Sequence, residues 1–381
     1  MRKEVYNINV NKAWIDDVWN KIECKMNVVV LRSADKIPYT TIKGVHDDKS
    51  KNNMSWWTNG FWPGILWLMY VGTGNEFYKT TAEKSEEKLD EVLYGFDRLD
   101  HDTGFLWLLS SVTNYRITEN AASRRRGLLA ASTLAGRFNT EGRFIRAWND
   151  RSEGDSRGWA IIDSMMNLPL LYWATLELND PRFKHIAMKH ANTVMKTFIR
   201  EDGSVKHIVE FNPDTGEYIK SYAGQGYGDD SSWTRGQAWA LYGFILSYIH
   251  TNKQEYLNTA KKIAHYFIAN LQDDPIPPCD FRSPKEPRYK DTTAGVCAAC
   301  GLIEIAKTVS EFEKDLYVNT AIKILKSTEE LCYNWSDRED SIVQMGTEAY
   351  HSAAKNIPII YGDYFFIEAI LKLRGENLLF W

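Results

Sequence analysis

Two kinds of helix alternate along this 381-residue chain, and that alternation restricts its fold more than any other feature. One kind is apolar on every side and rich in Trp, Gly and Ala, as at 61–70, 165–174, 236–246 and 294–305. The other is amphipathic and charged, as at 79–93, 183–198, 256–268 and 314–331. A helix that is apolar all round has to be buried, whereas an amphipathic one faces solvent on one side. Helical periodicity predicts twelve segments, at about 11–32, 60–73, 77–97, 104–117, 119–138, 163–178, 182–200, 235–250, 254–271, 293–310, 314–333 and 359–373. Inner helices followed by outer ones, six times over, describe a closed double ring of helix hairpins, an all-α (α/α)6 barrel. The pairs recur at roughly 40 to 70 residues, too loosely for a solenoid of identical repeats. One stretch breaks the pattern: 204–220 alternates around Asn212-Pro213-Asp214-Thr215-Gly216, the signature of a β-hairpin, placed on the barrel rim. No Pro/Gly-rich linker divides the chain, so 1–381 reads as a single domain.

Hydrophobic residues make up 44% of the chain, enough for a large core and against disorder. The net charge is −4 and no block of like charge stands out; Arg124-Arg125-Arg126 is short and lies inside a helical pattern. Nucleic acid is therefore not an expected partner. The longest apolar stretch, 61–71, is too short to span a bilayer, and the first nine residues hold no apolar signal core. Five cysteines, at 24, 279, 297, 300 and 332, are an odd number. Cys297-Ala298-Ala299-Cys300 has redox spacing, yet it lies mid-helix with no second pair, so it reads as buried small residues. Thiols suit a reducing compartment, and the expectation is a soluble cytoplasmic protein, monomer or homodimer.

The chain holds 14 Trp, 20 Tyr and 16 Phe. Trp56, Trp57, Trp62, Trp148, Trp159 and Trp233 sit in loop-like contexts beside Gly, Asn and Asp. Such aromatics suit flat amphipathic ligands such as sugars. Trp14, Trp67 and Trp173 are accounted for by helix cores alone.

Two aspartates stand at the mouths of apolar helices. Asp102 lies in Asp100-His101-Asp102-Thr103-Gly104-Phe105, and Asp163 in Ile161-Ile162-Asp163-Ser164-Met165-Met166-Asn167-Leu168-Pro169. A carboxyl flanked by apolar surface loses water and keeps its proton longer, which suits a general acid. Asp is also a preferred helix N-cap, and either segment alone favours that plainer use. The pair carries the functional reading, since paired carboxylates are the usual equipment of glycoside cleavage. His101 is placed either to bind a substrate oxygen or to make a local hydrogen bond.

The richest stretch is 224–239, with Gln225, Asp229, Asp230, Trp233, Arg235 and Trp239 among flexible glycines. Arg pairs bidentately with a carboxylate, so Arg235 is a natural partner for an acidic substrate. A capping role for Ser231 or Ser232 explains one hydroxyl and not the rest. The glycines form neither a Walker loop nor a dinucleotide fingerprint. With no H-E-x-x-H, G-x-S-x-G or EF-hand loop, neither a metal, nor a cofactor, nor a serine nucleophile is expected.

Taken together, Asp100–Phe105, the segment around Asp163, His207, Gly224-Gln225-Gly226, 230–239 and Asp291-Thr292-Thr293-Ala294 resemble the unsaturated glucuronyl hydrolases of glycoside hydrolase family 88. The resemblance spans most of the chain and implies the (α/α)6 barrel already read from the helices. It also implies an unusual reaction. The substrate would be an unsaturated disaccharide or oligosaccharide left by a polysaccharide lyase, with a C4=C5 double bond in its terminal uronic acid. Hydration of that vinyl ether, not attack at the anomeric carbon, would release the next sugar. By matching position, Asp163 is the acid that also handles the water, and Asp102 holds substrate hydroxyls and tunes its partner. His207, Gln225 and Arg235 match substrate contacts, and Trp56, Trp233 and Trp239 would wall the sugar. Ser352 and Lys355 are candidates for the second sugar; in part of the family a Ser/Lys cluster there takes a sulfate, a pattern this chain keeps only in part. A plain solvated turn explains 350–355 equally well. The alternatives are an unsaturated rhamnogalacturonyl hydrolase acting on pectin fragments, and a non-catalytic carbohydrate-binding toroid that would need neither aspartate.

Overall fold

A computed structural model describes residues 8–96, 98–149, 155–271, 274–376 and 380–381. Twelve long helices build the barrel: α1 (Ile8–Ser33), α2 (Phe61–Thr73), α3 (Glu76–Lys88), α4 (103–118), α5 (Ala121–Ala135), α6 (Leu168–Leu178), α7 (Arg182–Thr197), α8 (Thr234–Thr251), α9 (Gln254–Leu271), α10 (Thr292–Thr308), α11 (Glu311–Leu331) and α12 (Ile360–Leu373). Even-numbered helices form the inner ring and odd-numbered ones the outer. Each inner helix touches the next, and α12 packs between α10 and α2 to close the circle. The fold is the (α/α)6 barrel expected from the alternation.

Burial follows composition. Helix α12 is buried from end to end, and so are α8 from Thr234 to Ser247 and α10 from Thr292 to Ala306. Outer helix α7 buries only Phe183, Ala187, His190, Ala191 and Val194, one stripe at helical spacing. The barrel axis is filled by aromatic rings. Phe61, Phe105, Trp239, Tyr242, Tyr364 and Phe365 surround it, and Trp381 stacks on Phe365 with centroids 5.9 Å apart. The expected helix stops are real. Gly74, Asn179 and Asn252 end α2, α6 and α8 in the left-handed conformation that Gly and Asn adopt most readily.

Local departures have local causes. The segment predicted as one helix over 77–97 ends at Lys88 and resumes as the short helix Asp90–Gly95. The helix predicted to begin at 163 begins at Leu168, with Pro169 in its first turn, where a missing N–H costs nothing. Ahead of it, Ile162–Met166 winds as a tight 3-10 turn, and Trp159–Ile161 is a strand. That strand pairs with Ile208–Phe211, which pairs with Tyr218–Tyr222 across the expected turn. The hairpin is thus part of a three-stranded antiparallel sheet, order 159–161, 208–211, 218–222. The third strand was hidden because Trp-Ala-Ile is too short to show alternation. Its pairing delivers Asp163 to its place: Ile162 N donates to His207 O at 3.0 Å. Cys297 and Cys300 are both buried free thiols, as read.

Candidate active site

Asp102 sits at the N-cap position of α4 but makes no capping hydrogen bond. The third amide of that helix, Phe105 N, donates instead to Asn167 Oδ1 at 2.7 Å. Asn167 lies 62 residues away in sequence, at the entry to the adjacent inner helix. Its Nδ2 donates to Asp163 O at 3.2 Å and reaches Asp102 Oδ1 at 3.5 Å. One amide side chain therefore caps α4 and ties the two acidic segments together. The two backbones approach so closely that a Cβ on Gly104 would lie 2.5 Å from Asn167 Oδ1 and 2.7 Å from its Cα. Asp163 is not a cap either, and its Oδ2 is buried with no hydrogen-bond partner among the described residues. The capping alternative is decided against for both carboxyls.

Each aspartate faces a histidine. His101 Nε2 lies 3.1 Å from Asp102 Oδ1, and its Nδ1 lies 2.9 Å from Ala147 O. Both ring nitrogens are thus engaged locally, and His101 is not free to bind a sugar oxygen. His207 Nε2 lies 3.5 Å from Asp163 Oδ2. Its Nδ1 lies 3.0 Å from Gln225 N and 3.1 Å from Ala223 O. Ala223 O already accepts from Gly226 N at 3.0 Å, whereas Gln225 N has no other acceptor among the described residues. Nδ1 accepts from Gln225 N, and Nε2 lies beside Asp163 Oδ2 with no hydrogen bond between them. Burial, then the neighbouring carboxyls Asp100 and Asp163, push the Asp102 carboxyl well above the ordinary range. Burial likewise lowers His101.

The aspartates open on a cavity of about 650 Å³. Trp56, Trp57, His101, Asp102, Asp163, His207, Gln225, Trp233, Arg235 and Ser352 line it, as do Tyr39, Asn53, Ser55, Arg98, Trp148, Trp159, Glu348 and Tyr361. Of the two adjacent tryptophans, Trp56 carries Lys49 over its face at 4.1 Å, while Trp57 leans on Tyr361 and joins the aromatic axis. Trp233 packs on His207, with centroids 4.2 Å apart. Another cavity, of about 640 Å³ around Phe138, Arg146 and Pro213, contains neither aspartate.

Three expectations change. Trp239 is fully buried against Phe105 and Phe365, so it supports the cavity floor and does not wall the sugar. Lys355 is not on the cavity wall; its ammonium donates to Ser352 O and lies over the Tyr289 ring. Arg235 reaches the cavity, but part of its guanidinium is anchored on the protein: Nη1 donates to Asp291 Oδ2 and Thr347 O, both at 2.7 Å, and Nη2 to Glu348 O at 2.6 Å, while Nε has no partner among the described residues. Asp291 in turn caps α10 behind it. Sequence reading missed Asn167 as a site residue, although a lone amide in an apolar run before Pro169 was the available signal.

Asp100, His101 and Asp102 bring three donor atoms within 4.8 Å of one another. Hydrogen bonds from Asp102 N to Asp100 Oδ1 and between His101 and Ala147 O account for that closeness.

Residues 29–276 match the model of Glycosyl Hydrolase Family 88. The chain belongs to that family. It is 34% identical over 360 residues to the unsaturated glucuronyl hydrolase of Bacillus sp. (strain GL1), covering 91% of this chain and 93% of that one. It is 32% identical over 336 residues to the unsaturated chondroitin disaccharide hydrolase of Streptococcus pyogenes serotype M1, covering 85% and 83%. The crystal structure of unsaturated glucuronyl hydrolase from Streptococcus agalactiae superposes with a TM-score of 0.89 at 27% identity, covering 100% and 98%. This family 88 chain is therefore a glycoside hydrolase built on the family's barrel. No helix among its described residues is long and apolar enough to cross a membrane.

Proposed function

We propose that this enzyme hydrolyses unsaturated uronyl oligosaccharides, the products of glycosaminoglycan lyases, by acid-assisted hydration of the C4=C5 vinyl ether. The observation that carries the reading is the pair Asp102 and Asp163, neither of them making a capping hydrogen bond and both opening on one Trp-lined cavity. Asp163 delivers a proton to C4, with His207 beside its carboxyl. Water adds at C5 and gives its proton back to Asp163. The hemiketal so formed opens and releases the next sugar, with one water consumed. Asp102 accepts from substrate hydroxyls through its second oxygen. Trp56 and Trp233 supply apolar surface for the sugar ring, and Trp148 and Trp159 line the same cavity. The glucuronyl and chondroitin names of the relatives favour a glycosaminoglycan source over a pectin one. Every residue named comes from one chain, so a monomer or a homodimer would carry the site equally. The free thiols support a cytoplasmic location.

The test is loss of the ultraviolet absorbance of the conjugated double bond, over a panel of lyase-derived disaccharides, sulfated and unsulfated, with a rhamnose-linked uronide included. Asp163→Asn should abolish turnover while still binding substrate. Absence of decay with every unsaturated uronide would sink the enzyme reading, and decay only with the rhamnose-linked one would sink the glycosaminoglycan choice.

A further inference from the structure

The contacts of His101 fix where its hydrogens are. A carbonyl oxygen can only accept, so the Nδ1 that lies 2.9 Å from Ala147 O carries a hydrogen. The same oxygen also accepts from His101 N at 3.0 Å and from Arg137 Nη2 at 3.1 Å. Nε2 is then the only ring atom facing Asp102 Oδ1, at 3.1 Å. Two bare lone pairs would repel at that distance, so one proton lies between them. Either an imidazolium faces a carboxylate, or a neutral imidazole accepts from a carboxylic acid.

The surroundings choose between these. The ionisable groups near the pair are Asp100 and Asp163, with Arg137 as the cation, and Arg98 on the cavity wall. His190 lies behind His101 as a buried neutral imidazole, its Nδ1 accepting from Ile145 N at 2.9 Å. His101 itself has a side chain only 2% exposed, which disfavours a cation there. Asp100 beside Asp102 disfavours a second negative charge; Asp100 and Asp163 also favour a cation on His101, but burial is the larger effect on both members of the pair. Burial moves Asp102 up and His101 down, and both directions put the proton on the carboxyl.

We propose that His101 is a positioning residue that keeps Asp102 as a neutral carboxylic acid in the resting enzyme, so that the cavity receives an anionic sugar beside one negative charge fewer. This deepens the acid–base reading of the site and rests on it. His101 never touches the sugar. It offers Nε2 as a fixed acceptor, and Asp102 Oδ1–H donates to it. Asp102 Oδ2 stays free to accept from a sugar hydroxyl.

The test has two parts. In the free enzyme, infrared difference spectra of wild type against Asp102→Asn should show a protonated-carboxyl carbonyl band at neutral pH. 15N spectra of histidine-labelled enzyme, assigned with His101→Asn, should show His101 neutral with its hydrogen on Nδ1. In turnover, His101→Asn keeps a group near Nδ1 and loses the acceptor at Nε2. The KM for an unsaturated uronyl disaccharide should rise about tenfold at neutral pH, and the pH at which KM climbs should move down. His101→Gln places an amide oxygen near the Nε2 position and should restore most of both. An imidazolium signal without the carboxyl band overturns the proposal. So does His101→Asn with an unmoved KM–pH profile, or His101→Gln behaving no better than His101→Asn. If wild type turns over no unsaturated uronide, the functional reading fails, and the spectra still report where the proton is.

Discussion

Replacing Asn167 by alanine tests the central structural claim, that one amide builds the acid pair. The change deletes the 2.7 Å acceptor of Phe105 N, leaving that buried amide without a partner, at a cost of about 1–3 kcal/mol. It also deletes the donor to Asp163 O, a neutral hydrogen bond worth about 1 kcal/mol. The expected loss is therefore about 2–4 kcal/mol. Unfolding entropy of about 2.1 cal/mol/K per residue over 381 residues is about 0.8 kcal/mol/K, so Tm should fall by about 3–5 °C. Activity should fall further than stability suggests. The segments bearing Asp102 and Asp163 would no longer be tied together, and a displacement of about 1 Å at reacting groups can cost about a hundredfold in rate. Calorimetry gives the first number and the absorbance assay at saturating substrate gives the second. Asn167→Asp separates the two contributions. It keeps the acceptor for Phe105 N, so Tm should drop less, while it sets another carboxyl within reach of Asp102 and should reduce kcat at least as much. An Asn167→Ala enzyme with wild-type Tm and kcat would refute the reasoning.

Gly104→Ala should damage the same junction from the other side. Its Cβ would meet Asn167 atoms that belong partly to the backbone and cannot swing away, so strain of about 1–3 kcal/mol is expected, with kcat reduced; unchanged melting would contradict it. Arg235→Ala leaves Asp291 buried and unpaired, and should cost about 3–5 kcal/mol by denaturant titration. The double variant Arg235→Met with Asp291→Asn should recover much of that; equal instability of the two would show that the ion pair is not what matters. Two buried imidazoles draw stability down in mild acid, against the opposite pull of the raised Asp102 and Asp363 carboxyls. The buried imidazoles of His46 and His190 are pushed down to about 4 and about 3, against 6.5 in the unfolded chain. The unfolded state thus binds more protons in this window, and stability present above pH 6.5 is lost as pH falls. At pH 4.5 the two together account for about 5 kcal/mol. His190→Gln should remove about half of that loss relative to wild type, read from denaturation midpoints at pH 7 and pH 4.5; a variant with the wild-type pH dependence would refute this.

The barrel was legible because its logic is compositional. Whether a helix is apolar on every side depends on its own residues, and rings of such helices have few ways to be covered. Asp102, Asp163 and His207 were legible as motifs, and so was the convergence of loops at one end. What could not be read was any pairing between distant segments. The strand at 159–161 exists only because 208–211 lies beside it. Asn167 became a cap for a helix that begins 64 positions earlier, at Thr103. Arg235 looked like a ligand for an acidic substrate because the sequence places nothing acidic next to it in its helix; the partner, Asp291, comes from the next inner helix. Trp239 and Trp233 are indistinguishable in composition, yet the turn of α8 sends one to the aromatic axis and the other to the cavity.

Charge then sets the terms on which this cavity can bind. Asp100, Asp102, Asp163 and Glu348 line it, against Arg98 and an Arg235 already neutralised by Asp291. A uronate entering such a site meets more acid than base. At an effective dielectric of 20, one carboxylate about 5 Å from another costs about 3 kcal/mol, roughly what a well-stacked sugar ring and a hydrogen bond or two return. Were both aspartates charged in the resting enzyme, repulsion would cancel much of the aromatic contribution. A proton held on Asp102 by His101 removes one such opposition without removing the oxygen that accepts from the sugar. On this proposal His101, open in the sequence to either a substrate contact or a local hydrogen bond, takes the local one and acts through the carboxyl it keeps neutral.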